Sequence, residues 1–212
     1  MKWEKFIKLV GNLPVFDSEN LLAGVSNPGA AKVQISRWEK AGKLIQLKRG
    51  IYLLDEPYRK VDGYEPFIAS LLMRPSYISL EKALEYHGLI PESVPVYTCV
   101  TTKRPAKFSS AAGIFEYRHI RATLFWGYNS VTLNKQSGFV ASAEKALLDF
   151  FYLKGMKIST DYLTEMRLQN IEKIDPDKLL EYAKRFNKPG MVQVAKTIKK
   201  YIDSYQEEEK TL

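Results

Sequence analysis

Ser26-Asn27-Pro28-Gly29-Ala30-Ala31-Lys32-Val33-Gln34-Ile35-Ser36-Arg37-Trp38-Glu39-Lys40-Ala41-Gly42 and the run Lys43-Leu44-Ile45-Gln46-Leu47-Lys48-Arg49-Gly50-Ile51-Tyr52-Leu53-Leu54 decide the fold. Ser26 to Gly29 is turn chemistry. Beyond it the spacing predicts a helix from about Ala30 to Ala41, stopped by Gly42. Ala31, Ile35, Trp38 and Gly42 share one face of that helix, the expected core side. The following run predicts two short strands hinged near Lys48-Arg49-Gly50, a β-hairpin with a basic tip. Upstream, Trp3, Phe6, Ile7 and Val10 stand at i, i+3, i+4 and i+7, an amphipathic helix ending at Gly11. Asp17-Ser18-Glu19 offers an N-cap for a second short helix that Gly24 closes. Three helices and a basic hairpin over residues 1–60 predict an N-terminal winged helix-turn-helix.

Charge agrees with that placement. The chain of 212 residues carries 32 Lys+Arg against 24 Asp+Glu, a net charge of +8. Residues 1–60 alone are net +5, so the basic density is highest there. A balance of this kind suits a polyanion. On the third helix Lys32, Val33, Ser36, Arg37 and Lys40 lie off the core face, with Arg37 and Lys40 nearly opposite it. The expected division is Ser36 and Arg37 on base edges, with Lys32 and Lys40 on phosphates. Val33 shares that outer face, and Lys48 and Arg49 on the wing are expected to grip the backbone or enter the minor groove. Residue by residue, a solvated basic face accounts for each of these; the ordered set of turn, helix and hairpin favours DNA.

Asp55 to Gly63 is polar and holds Pro57 and Gly63, a boundary before a second, mixed α+β domain over residues 62–205 with a helical C-terminus. Pro66 opens a helix with Phe67, Ile68, Leu71 and Leu72; Ser79 caps another that Gly88 ends. Strands are expected at 94–101, 113–120, 124–128 and 138–141, a capped helix from Ser142 to Leu153, and helices near 160–169, 176–187 and 190–205. Residues 206–212 read as a flexible acidic tail.

Other chemistry is sparse. One cysteine, Cys99, rules out an intrachain disulfide, and two histidines leave little for a metal centre. No cofactor or metal is expected. His87 beside Gly88 reads as a helix-end residue, and His119 as a strand-surface one. Glu144, Lys145 and Asp149 on one helix suggest a metal-and-phosphate site. However, Glu144 and Lys145 point apart, and Lys145 with Asp149 makes an ordinary i,i+4 ion pair. Thr101 to Lys107 reads as a basic loop. No apolar run reaches membrane-spanning length and the first residues lead into no secretory core, so a soluble cytoplasmic protein is expected.

Several segments in order resemble one family. Lys48-Arg49-Gly50-Ile51-Tyr52 resembles the wing ending of AbiEi-type proteins, and Ser79-Leu80-Glu81-Lys82-Ala83-Leu84-Glu85-Tyr86-His87-Gly88 their Ser-Leu-x-x-Ala-Leu-x-x-His-Gly helix. Thr98 to Arg104 followed by Phe115 to Ile120 is similar to their central strands. Glu144-Lys145-Ala146-Leu147-Leu148-Asp149 resembles their Glu-Lys-Ala-Leu-Leu-Asp helix. The resemblance spans roughly residues 3–155. It implies an antitoxin of the abortive-infection type, a non-enzymatic repressor of its own operon. Such a protein binds inverted repeats in promoter DNA and opposes a nucleotidyltransferase toxin in phage defence. No catalytic residues are implied. Two other readings stand beside it: a stand-alone winged-helix regulator with a ligand-sensing C-terminal domain, and a DNA-targeted nuclease. The absence of a Gly-rich phosphate loop or nucleophile constellation counts against the nuclease.

Overall fold

In a computed structural model, which describes residues 2–155 and 158–209, the chain is mixed α+β. It opens with α1 (Trp3–Val10), β1 (Val15–Asp17), α2 (Ser18–Leu22), α3 (Pro28–Lys40), β2 (Leu44–Lys48) and β3 (Ile51–Leu54). The caps follow the sequence. Asp17 accepts from the backbone N–H groups of Glu19 and Asn20 at the head of α2, and Asn27 from that of Ala30 at the head of α3. Pro28-Gly29, expected as a turn, is the first turn of α3, where a proline's missing N–H costs nothing. The strands form an antiparallel sheet in the order β1-β3-β2. Trp38 meets Phe6 at 4.6 Å and Trp3 at 5.0 Å between ring centroids, and Phe6 meets Phe16 at 5.4 Å. An aromatic core thus joins α1, α3 and the small sheet.

The rest of the chain builds α4 (Glu65–Leu72), β4 (Ser76–Ile78), α5 (Leu80–Tyr86), β5 (Val96–Thr101), β6 (Ala106–Ser110), β7 (Gly113–His119), β8 (Tyr128–Leu133), β9 (Gln136–Ala141), α6 (Ala143–Lys154), α7 (Thr160–Glu165), α8 (Pro176–Arg185) and α9 (Pro189–Glu209). Six strands pair in the order β6-β7-β5-β4-β9-β8, with β5/β7 and β4/β9 parallel and the other neighbours antiparallel. α4 packs on β4, β5 and β9; α5 packs on β5 and α6, and α8 and α9 pack on each other and on α6. A large core runs through this body and takes in Val15, Leu47 and Leu53 from the first segment. The first sixty residues therefore hold one core of their own and lend three side chains to the larger one.

Several elements differ from expectation. β1, β4 and β6 are additional strands; β6 begins in the last two residues of the expected basic loop and runs past it to Ser110. Residues 122–124 form a 3₁₀ turn rather than part of a strand, and β8 begins only at Tyr128. α7 ends at Glu165. α9 continues through the supposed acidic tail to Glu209, while 210–212 lie outside the described residues. Among the described residues no helix is long and apolar enough to cross a membrane.

Candidate nucleic-acid interface and a buried polar cluster

The third helix presents two unlike faces. Ala31, Ile35 and Trp38 are buried, whereas Lys32, Val33, Ser36, Arg37 and Lys40 are all exposed. Val33 is 51% exposed, unusual for a branched apolar side chain. Among the described residues Lys32, Arg37, Lys40 and Arg49 make no ion pair. Arg37 and Lys40 sit in the last turn, where the helix dipole favours cations and accounts for part of the pattern. Lys43 is spent internally, its ammonium 4.8 Å from the Trp3 ring centre.

Lys48 and Arg49 of the β2–β3 hairpin separate. Arg49 is exposed in the turn between β2 and β3. Lys48 is not a free grip: its Nζ donates to the Leu72 carbonyl at 3.0 Å and lies 5.6 Å from the Phe108 ring centre. A β-bulge between Gln46 and Lys48 accompanies this turn of the side chain, with Leu47 entering the large core beside it. The sequence places Lys48 at a hairpin tip but does not show that α4 and β6 lie against that tip.

The second cluster centres on the Lys145–Asp149 pair, which the sequence presents as an ordinary helix ion pair. Lys145 and Asp149 are 0% exposed, not a surface pair. Tyr77 Oη and Ser79 Oγ each donate to Asp149 Oδ2 at 2.9 Å, and Lys145 Nζ bonds Asp149 Oδ1 and, at 3.1 Å, Tyr77 Oη. The Trp126 and Phe186 rings lie 4.9 and 5.0 Å from that ammonium. Burial pushes the lysine down and the aspartic acid up, against their mutual attraction. Burial also raises the Tyr77 hydroxyl, so it stays a donor. Ser79 stands at the head of α5 without making a cap bond, because its hydroxyl serves Asp149 instead. Its backbone N–H donates to the Thr98 carbonyl and its carbonyl accepts from Thr98 Oγ1, which helps hold buried Leu80 at φ +53°. Glu144 turns away from Lys145 as expected, but it too is buried: it accepts from Ser142 Oγ at 2.7 Å and Lys178 Nζ at 3.0 Å. Burial works upward on its carboxyl, and those bonds outweigh it and hold it below the usual range. Full burial leaves Lys145 and Asp149 no atom for a substrate; the arrangement ties α6 to β4 and α5.

The remaining candidates are structural. A ring nitrogen of His87 meets the Ala141 carbonyl at 2.7 Å, and one of His119 the Lys103 carbonyl at 3.1 Å. Cys99 is buried, and burial pushes its thiol up, away from reactivity. No group of three or more His, Cys, Asp or Glu fit to hold a metal occurs among the described residues. A cavity of about 620 Å³ lies beside α5, α6 and α7, lined among others by Leu84, Val96, Phe150, Met166, Glu116 and Arg118. No family model matches the chain, and no curated protein matches it.

Proposed function

We propose that the protein is a winged-helix DNA-binding repressor of its own operon, acting as antitoxin to a nucleotidyltransferase toxin in abortive-infection phage defence. One observation carries the DNA part: five side chains, Lys32, Val33, Ser36, Arg37 and Lys40, stand exposed on a helix whose opposite face is locked into an aromatic core. A rigid helix with a slim polar outer face is what a major groove admits. The antitoxin part and the promoter's inverted repeats rest on the resemblance of residues 3–155 to AbiEi-type proteins. In this reading the first sixty residues carry the DNA contacts, and residues 62–205 hold the antitoxin activity. It needs neither a cofactor nor a catalytic group.

Arg37→Ala decides it. An arginine reading guanine through two hydrogen bonds contributes roughly 1–3 kcal/mol of discrimination. The variant is expected to bind the promoter more weakly and to lose preference over scrambled duplex, with its melting temperature unchanged because the side chain is exposed. Titrations against both duplexes measure this, and retained preference removes the third helix as reader.

The wing makes a separate expectation. Arg49→Ala should weaken promoter and scrambled DNA equally and shallow the salt dependence by about 0.9 in log–log slope, one phosphate contact. Lys48→Ala should instead cost about 1 kcal/mol of folding stability through the lost bond to Leu72. Salt-dependent binding and denaturant melts of the two variants separate these effects.

The cavity beside α5, α6 and α7 favours one second reading, a ligand-sensing regulator. Metabolite-dependent shifts in melting temperature, abolished by Phe150→Ala, would support it.

A further inference from the structure

Among the described residues four strands form the edges of the two sheets, and three of them are guarded. β1 is three residues long and ends in the exposed acid Asp17. β2 carries a bulge and Lys48, and packs beside β6. β6 carries exposed Lys107 and has β2 beside it. Short length, charge, bulges and cover are the ordinary protections of a sheet edge. β8 has none. Its six residues, Tyr128-Asn129-Ser130-Val131-Thr132-Leu133, hold no charge and no proline, and every residue pairs with β9 without a register break.

The geometry of the hairpin tells which groups face out. Asn134 and Lys135, at φ +49° and +63°, make a two-residue turn, so Leu133 and Gln136 close it as a hydrogen-bonded pair. By alternation Asn129, Val131 and Leu133 direct their backbone groups to β9, and Ser130 and Thr132 direct theirs outward. No backbone hydrogen bond outside the ladder involves Ser130 or Thr132 among the described residues. Leu133 is 53% exposed and Phe139, on neighbouring β9, 39%.

We propose that this edge pairs with a second copy of the chain, β8 running antiparallel to β8 about a two-fold axis at Val131, so that the two six-stranded sheets become one. Charge narrows where two copies can meet. A chain of net +8 repels its copy almost everywhere, and the β8–β9 hairpin has one charged residue, Lys135, in its turn. With Val131 on the axis, Ser130 and Thr132 of one copy exchange backbone bonds with Thr132 and Ser130 of the other. The two Lys135 side chains then fall at opposite ends, about 27 Å apart at the strand rise, well beyond the Debye length of about 8 Å. The contact is isologous and closes on itself.

Sedimentation velocity on the full chain from 1 to 100 μM tests this. The expected result is concentration-dependent passage from 24.3 kDa to twice that mass. Ser130→Pro removes an outward N–H without touching the β9 ladder, and Thr132→Lys places like charges across the axis. Each is expected to weaken dimerisation at least ten-fold with an unchanged circular dichroism spectrum, and having two variants covers a failure of either to fold. In the wild-type dimer the Ser130 and Thr132 amides should exchange more slowly with solvent hydrogen than in the monomer. A wild-type chain that stays monomeric throughout, or a folded variant that dimerises like the wild type, overturns the proposal.

Discussion

Asp149→Ala should destabilise the protein by about 3–5 kcal/mol, the cost of leaving a buried charge without its partner. The carboxylate accepts from Tyr77 and Ser79 and balances Lys145, and all of it is shut away from water. Its loss strands an ammonium at 0% exposure against the rings of Trp126 and Phe186 and leaves the Ser79 hydroxyl unmatched. The double replacement Lys145→Met, Asp149→Leu should recover part of that loss, because desolvation of both charges disappears with the pair while the Tyr77 and Ser79 hydroxyls still lack their acceptor. Denaturant unfolding of the three proteins measures the contrast. The same experiment has a pH signature. Asp149 is raised above its ordinary value by burial, so the wild-type fold regains stability from this group as pH falls through the carboxylate range. Lys145 is lowered by burial, so it regains stability as pH rises toward the ordinary lysine value. Measured against wild type, the double variant should therefore stand best near neutral pH and lose ground on both sides. A single Asp149→Ala variant as stable as the double one would mean that Lys145 finds water.

The sequence discloses this cluster poorly for a definite reason. A lysine and an aspartate four apart on a helix is the commonest surface pattern there is. Its burial depends on Tyr77 and Ser79, some seventy positions away, and on Trp126 and Phe186 closing over it. Local periodicity sees none of these. By contrast Ala31, Ile35 and Trp38 are legible as a core face because helical spacing alone sorts them from Lys32, Arg37 and Lys40. The hairpin strands β2 and β3 are legible for a similar reason, being adjacent in sequence and hinged at Gly50. β1 is not, since its three residues become a strand only by pairing with β3 across the whole of α3. Lys48 shows the same limit at the scale of one side chain: its position in the turn is local information, and the carbonyl that captures it belongs to Leu72.

Gly138→Ala should be the most damaging change of a single methyl group. Gly138 lies in β9 where α4 crosses it, and a Cβ there would stand 2.2 Å from the Pro66 carbonyl carbon, 2.3 Å from its oxygen and 2.6 Å from the Phe67 nitrogen. All three atoms are backbone, so no side chain can swing aside; the helix and the strand must part. Overpacking of this kind costs typically 1–3 kcal/mol and here about 3 or more, since the obstacle is rigid. For a chain of this size that lowers the melting temperature by about 6–12 °C. The consequence reaches the β2–β3 hairpin. Gln136, two residues earlier, holds the Tyr64 N–H and the Asp62 carbonyl at the start of α4, and Leu72 at its end receives Lys48. Displacing α4 should therefore loosen the docking of the β2–β3 hairpin as well as the sheet, and amides of residues 44–54 should exchange faster with solvent hydrogen. Gly190→Ala is the control. Nothing lies within 4 Å of a Cβ at that position, near the start of α9, and the change should be neutral or stabilising by about 0.5–1 kcal/mol. If the two variants melt within about 2 °C of each other, α4 does not cross β9 at Gly138, and the route from that crossing to the β2–β3 hairpin is gone.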